Sequence, residues 1–435
     1  MVAVGLTRLG RSADTVRRSL WFGGFLRTFG LNLALQAISI VAGVLAARLL
    51  SPDGRGALAA IQLMPPVLAL LATFGMSQAL VFLAAKDRGS MGEVVGSALL
   101  VQVVLGVALA SLAVPAVSAV LGPMAPSVIT FAKWYLYSFL LELVAGPARD
   151  ALLAANYYRL YDYTRIIVPI ITVIGMLLLV MLRLSSARAV ACLQAAALFV
   201  AVIPPWYLYR RHIGATLTTS KVTIQRLLRF GAPNLLSNLP ATATQRFLLF
   251  LIGASLNITA VGYLAVAFTW GAALTPLVTA VNIHLYPRMC AAATRSEQAR
   301  LAIVSLYGTV ATVVLSGALM VIATPLLFPI ILGQRYEAAV PLAQLLVVSG
   351  AVVGINQVFG FALRALGRPG AVAVAEWASL GAVLLGGLAA RPFVTLRAFG
   401  ALTIVGPVVA LFISSFAFAR VLGKSAYENS PRAPR

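Results

Sequence analysis

Residues 21–87 read WFGGFLRTFGLNLALQAISIVAGVLAARLLSPDGRGALAAIQLMPPVLALLATFGMSQALVFLAAKD, and this stretch decides the fold. Two apolar spans, Trp21–Ala47 and Ala57–Ala85, flank a short polar elbow, Ser51-Pro52-Asp53-Gly54-Arg55-Gly56. At about 1.5 Å of rise per residue, each span is long enough to cross the ~30 Å hydrocarbon core of a bilayer as a helix. The stretch is expected to be a transmembrane hairpin.

The polar residues of the first helix fall on one face. Thr28, Asn32, Gln36, Ser39 and Gly43 follow one another at steps of three or four, so at about 100° per residue they share an arc of roughly 80°. Arg27 sits beside that face. The second helix repeats the pattern with Gln62, Pro66, Ala69, Thr73 and Ser77. Two neighbouring helices with polar stripes point to a wet cavity between them. Small and polar residues also serve helix packing in membranes, so one stripe alone does not separate a cavity wall from a packed seam.

The chain as a whole has the composition such a hairpin implies. Of 435 residues 61% are hydrophobic and 10% charged, with a mean hydropathy of +0.97. A soluble domain is about half apolar and a quarter charged, so this is an all-α polytopic membrane protein with little mass outside the bilayer. The net charge of +22 is mostly arginine scattered through short connections, as the positive-inside rule requires. No basic patch is interleaved with exposed aromatics, and no nucleic-acid partner is expected. Cys192 and Cys290 lie far apart and build neither a disulfide framework nor a metal motif. There is no P-loop and no long acidic loop, so neither an enzyme nor a cofactor is expected.

Further spans are expected near Glu93–Leu121, Ser127–Ala155, Thr164–Leu184 and Arg188–Tyr209. Six more follow near Leu227–Ala254, Ile258–Pro287, Leu301–Leu332, Val340–Ala365, Val372–Ala390 and Leu396–Leu422. The organisation is then a tail at 1–19, a first lobe at 20–209, a basic connection at 210–226, a second lobe at 227–422 and a tail at 423–435. Arg8, Arg11, Arg17 and Arg18 precede an apolar run longer than the ~7–15 residues of a signal-peptide core, so the first helix is read as uncleaved. Lysine and arginine concentrate in the N-terminus and in every second connection, which puts both termini on the cytoplasmic side of the membrane.

The two halves echo each other. Phe29-Gly30 matches Phe230-Gly231, Gly56-Ala57-Leu58-Ala59 matches Gly262-Tyr263-Leu264-Ala265, Leu121-Gly122 matches Leu332-Gly333, and Arg159 matches Arg368. The offset stays nearly constant, which is the signature of a six-helix repeat. Because six is even, the copies run parallel about a pseudo-two-fold axis along the membrane normal, with a central site between them.

The seventh helix supplies a counterpart stripe, Asn234, Asn238, Ala241, Thr242 and Gln245 with Arg246 at its edge, and the eighth offers Thr275, Thr279, Asn282 and Tyr286. The first, second, seventh and eighth helices are thus the expected cavity walls. Their substrate-binding candidates are Arg27, Asn32, Gln36, Gln62, Asn234, Asn238, Gln245, Arg246 and Asn282. An arginine near mid-bilayer costs about 2.5–3.5 kcal/mol even on a lenient scale, so it faces water, an anion or a partner unless it snorkels to the interface. A cationic lining suits a pyrophosphate, which guanidinium groups bind through paired donors. Two embedded acids, Glu142 and Glu376, are each either paired structural groups or ion-coupling sites. Pro65-Pro66, Pro240 and Pro276 favour kinks in three of the four wall helices. Ser305, Thr309, Thr312 and Ser316 form a similar stripe on the ninth helix, with no repeat argument behind it.

Several segments carry a family likeness. Ala47-Arg48-Leu49-Leu50-Ser51-Pro52-Asp53-Gly54-Arg55-Gly56 and Phe230-Gly231-Ala232-Pro233 look like the family's first elbow and second-lobe start. Val261-Gly262-Tyr263, Leu285-Tyr286-Pro287-Arg288, Leu332-Gly333-Gln334-Arg335-Tyr336 and Ala365-Leu366-Gly367-Arg368-Pro369 are similar to later landmarks. In that order they resemble the polysaccharide and O-antigen exporters, Wzx-type lipid-linked oligosaccharide flippases of the multidrug/oligosaccharidyl-lipid/polysaccharide exporter superfamily. The resemblance implies two six-helix lobes, alternating access, and transfer of an undecaprenyl-pyrophosphate-linked glycan between leaflets of a bacterial cytoplasmic membrane. It also implies membrane lipids, glycosyltransferases and a polysaccharide polymerase as partners, and a pyrophosphate contact for Arg27 and Arg246. Where many relatives have Asp-Arg in the seventh helix, this chain has Gln245-Arg246, which puts a carboxylate-dependent ion coupling there in doubt. The alternative within the superfamily is a small-molecule or multidrug antiporter. Such a protein needs acids in its cavity for cationic cargo, where this chain offers arginines and amides.

Overall fold

A computed structural model describes residues 30–121, 124–275, 295–366, 368–389 and 395–428. Arg27, Thr28, Pro276, Thr279, Asn282 and Tyr286 lie outside the described residues. Among those described, every regular element is helical and there is no strand.

The hairpin forms, but its elbow is not a loop. Helix α1 runs Gly30–Leu49. The Ser51 hydroxyl accepts the Gly54 N–H at 3.1 Å, Pro52 takes the first helical position, and α2 (Pro52–Ile61) starts there. Ser as N-cap, Pro at N1 and Asp in the first turn are together a helix start, so Pro52–Gly56 became the first turn instead of a connection. The expected single second helix is then broken twice. Gln62–Met64 separate α2 from α3 (Pro65–Thr73), where Pro65 opens a new helix. Phe74 (φ 49°) and Gly75 (φ 66°), both left-handed, separate α3 from α4 (Met76–Lys86). The two breaks destroy the helical phase on which the stripe from Gln62 to Ser77 depends. Ser77 turns into the first lobe instead, where it lies beside Asp150.

The remaining helices are α5 (Met91–Val120), α6 (Pro126–Leu136), α7 (Ser138–Ala154), α8 (Tyr158–Met181), α9 (Ala187–His212), α10 (Lys221–Ser255), α11 (Ile258–Gly271, extended by a 3-10 turn Ala272–Leu274), α12 (Arg295–Leu332), α13 (Val340–Ala365), α14 (Pro369–Ala389) and α15 (Leu396–Glu428). Ten of the described helical segments are long and apolar enough to cross a membrane, with α2–α4 and α6–α7 each forming one span. The 35-residue α10 is not among them because Asn234, Asn238, Gln245 and Arg246 hold its hydropathy down. With α10 and the described part of α11 the twelve segments are accounted for. Large apolar side chains such as Leu315, Ile322 and Leu326 of α12 stand exposed, as a lipid-facing surface requires.

Each half packs on itself. In the first, α7 lies on α5 and α9, and α9 on α8; in the second, α13 lies on α12 and α15, and α15 on α14. Between the halves α2 lies along α11, and α10 lies along α3, α4 and α5. The α2–α11 crossing is reciprocal: Gly56 abuts the Ile258 carbonyl while Gly262 abuts the Pro52 carbonyl, and a Cβ at either glycine would land inside the opposing backbone. Matched residues exchanging matched contacts are the mark of a two-fold interface. The repeat read from the sequence is therefore visible as geometry.

Three prolines in the second half are clamped by neighbouring helices. A proline has no N–H to give the carbonyl four residues earlier, and lipid offers no replacement donor. Pro240 thereby frees the Leu236 carbonyl, which accepts the Trp377 indole N–H at 3.0 Å. Pro325 frees Val321, which accepts from the Gln344 amide at 3.1 Å, and Pro407 frees Thr403, which accepts from the Ser349 hydroxyl at 2.7 Å. Helix α10 runs unbroken through Pro240.

Candidate functional site

Where α1, α2, α10 and α11 meet, they line a partly open chamber of about 290 Å³. Its polar lining is Gln36 and Ser39 from α1, Arg55 from α2, Gln62 just beyond it, Gln245 and Arg246 from α10 and Thr269 from α11. No carboxylate is among its lining residues.

The two arginines come from opposite lobes. Arg246 reaches across to the Gln62 carbonyl at 3.5 Å, a long and weak contact, and its Nε is buried without a hydrogen-bond partner. The Nε of Arg55 is buried and unpartnered as well, and no ion pair satisfies either guanidinium among the described residues. A buried charged donor without an acceptor is costly, so both Nε groups stand out among the polar atoms lining the chamber. The amides around them are positioned from below: Gln62 donates to the Gln194 side-chain oxygen on α9.

The structure sorts the expected site residues into three groups. Gln36, Gln62, Gln245 and Arg246 are brought together in the chamber. Asn32, Asn234 and Asn238 are not. Asn32 accepts from Arg165 of α8 at 2.9 Å, while Asn234 and Asn238 donate back to carbonyls four residues earlier on α10, at 3.3 and 2.9 Å. Arg27 and Asn282 lie outside the described residues. Gly43, the last member of the first stripe, packs against the Thr269 side chain, so that end of the stripe is a seam. On the ninth span, Thr312 and Ser316 bond their own helix carbonyls and line neither cavity.

Arg55 was not singled out from the sequence. The signal was present: once Ser51-Pro52-Asp53 is read as a helix start, Arg55, Ala59 and Gln62 fall at i, i+4 and i+7 on one face. Arg165 was also missed, as was Asp150, buried beside Arg149 and Ser77.

The two acids separate clearly. Glu142 is held by Arg149 in an ion pair on α7. Glu376 lines a second cavity, about 380 Å³, inside the second lobe, where it accepts from the Asn356 amide at 3.3 Å. Gln245 lines both cavities.

This architecture is similar to that of known transporters. The inward closed conformation of the lipid II flippase MurJ superposes with a TM-score of 0.73 at 12% identity, covering 92% of this chain and 91% of that one. An inward-facing multidrug resistance MATE family transporter of the MOP superfamily gives 0.72 at 13%, covering 90% and 96%. A MOP superfamily transporter from Pyrococcus furiosus gives 0.58 at 13%, covering 92% and 96%. At these identities the likeness establishes the fold alone. Comparison with curated protein sequences gives no match. A family model described as polysaccharide biosynthesis protein matches residues 44–341, more than half of the chain, and the chain belongs to that family.

Proposed function

We propose that the protein is a flippase that carries a polyprenyl-pyrophosphate-linked oligosaccharide from the cytoplasmic to the outer leaflet of a bacterial cytoplasmic membrane by alternating access. The observation that carries this reading is a pair of half-buried arginines with buried, unpartnered Nε groups, Arg55 from one lobe and Arg246 from the other, facing one acid-free chamber. Each offers a planar fork of donors that matches two phosphate oxygens at once. Membership of a polysaccharide biosynthesis family and the fold shared with a lipid II flippase support the cargo class.

The chamber, about 290 Å³ and open on one side, has room for a pyrophosphate, and the glycan passes as the lobes rearrange. With the termini on the cytoplasmic side, the residue 50–56 end of the chamber faces outward. The cargo then comes from glycosyltransferases and leaves toward a polymerase. Glu376 is the favoured ion-coupling group, because no ion pair engages it among the described residues and its cavity shares Gln245 with the chamber. Glu142, held by Arg149, is structural.

The reading is tested by flipping of a fluorescent lipid-linked oligosaccharide in proteoliposomes. Alanine at both Arg55 and Arg246 is expected to abolish flipping at equal expression; unchanged flipping overturns the site. Strong drug resistance in a sensitive host without any glycan defect would instead favour the antiporter.

A further inference from the structure

The end of the molecule around residues 48–56 holds the lobes together through side chains that the chamber does not use. Asp53 at the start of α2 accepts from the Thr259 hydroxyl at the start of α11. The buried Tyr336 hydroxyl donates to the Leu50 carbonyl at 3.0 Å. Arg48 donates from Nε to the Ile331 carbonyl at 2.7 Å and from Nη2 to the Ile330 carbonyl at 2.7 Å. Those two carbonyls belong to the last turn of α12, where backbone acceptors lack intrahelical donors and the helix dipole is negative. One guanidinium from the first lobe therefore caps a helix end in the second.

We propose that Arg48, with Asp53 and Tyr336, is a latch that closes this end of the chamber and has to release for the chamber to open there. Three features carry the argument beyond packing. The contacts all join one lobe to the other, so a rigid-body rotation of the lobes breaks them together. Arg48 makes two charge-assisted bonds and has no carboxylate partner among the described residues, so the helix end is what satisfies it. The latch also shares a helical turn with the anion site: Arg55 follows Asp53 by two residues and precedes Gly56, which abuts the other lobe. An anion drawing on Arg55 thus acts on the turn that the latch holds. At the opposite end the lobes meet where Gly75 abuts the Gly231 carbonyl, where Phe82 stacks on Phe230 and where the Thr223 hydroxyl of α10 donates to Glu93 of α5, with no arginine capping a helix end among these contacts.

The latch depends on the two-lobe chamber and not on the nature of the cargo, so its test needs no cargo. A Ser39→Cys reporter in the chamber wall, with Cys192 and Cys290 replaced by serine, is labelled by a membrane-impermeant maleimide from each side of the membrane in turn. Arg48→Ala is expected to raise labelling from the latch side about ten-fold, and Arg48→Lys, which keeps the charge but loses the fork, by less. Asp53→Cys with Thr259→Cys, oxidised to a disulfide that leaves the single reporter thiol free, is expected to suppress that labelling and to restore it on reduction. The tethered variant carries the test even if Arg48→Ala fails to fold. Wild-type labelling in a folded Arg48→Ala protein, or undiminished latch-side labelling of the tethered one, overturns the proposal. If labelling follows the prediction while lipid-linked glycan is not moved, the latch stands and the cargo assignment falls.

Discussion

Asp53 and Thr259 stand 206 residues apart and hydrogen-bond to each other across the two lobes. Each is the second residue of its helix, and each helix is capped by the side chain two residues earlier. Ser51 accepts from Gly54 in one lobe and Asn257 from Ala260 in the other. Equivalent residues of two repeats meet one another only beside the axis that relates them. The contact therefore locates the pseudo-two-fold axis at the α2–α11 crossing.

The crossing should be intolerant of side chains on both of its sides. Gly262→Ala and Gly56→Ala each drive a Cβ into a backbone carbonyl that cannot rotate away, and each is expected to cost about 1–3 kcal/mol. Thermal unfolding in detergent measures this. Gly30→Ala, with nothing near its missing Cβ, is the control and should not lower stability.

The chamber arginines should act through their donors as well as their charge. Arg55→Ala or Arg246→Ala removes hydrogen bonds to a charged group worth about 1.5–3 kcal/mol, or roughly ten- to hundred-fold in affinity. Arg55→Lys should recover only part of it, because an ammonium cannot span two phosphate oxygens. Binding of a fluorescent polyprenyl pyrophosphate to the purified protein reads the difference.

The proline clamps predict a rescue. Ser349→Ala strands the Thr403 carbonyl in a buried site and should cost about 1–3 kcal/mol. Adding Pro407→Ala supplies a backbone N–H to the same carbonyl, so the double variant should be more stable than Ser349→Ala alone. A double-mutant cycle on unfolding gives the coupling directly.

The two embedded acids should part company under neutralisation. Glu376→Gln keeps an oxygen for the Asn356 amide, so folding is expected to survive while the dependence of transport on a cation gradient is lost. Glu142→Gln removes the partner of Arg149 on a half-exposed face, and should lower stability by about 1 kcal/mol or less while leaving that dependence intact. Transport measured with the ion gradient imposed and then collapsed distinguishes the two.

What the sequence determined by itself is the set of apolar helices, the repeat and part of the chamber's polar lining. Apolar runs of about 20 residues satisfy every backbone polar group within the helix, as lipid demands, so hydropathy counts spans without knowing their neighbours. The repeat was legible because the glycines that let two backbones touch, Gly56 and Gly262, recur in register. The charge of the site was legible in Arg246 because an arginine so deep in an apolar span calls for an acceptor.

Tertiary structure alone decided which polar residues meet. A stripe predicts a common face only while the helix keeps its phase, and the breaks at Gln62–Met64 and Phe74–Gly75 sent Ser77 into the first lobe and left Gln62 in the chamber. Arg55 entered the site because its cap starts the helix one turn early. Asn32 left it because Arg165, on a helix far along the chain, offered a closer donor. The acceptors of Arg48 are backbone carbonyls, which every sequence possesses and which become available only where a distant helix happens to end.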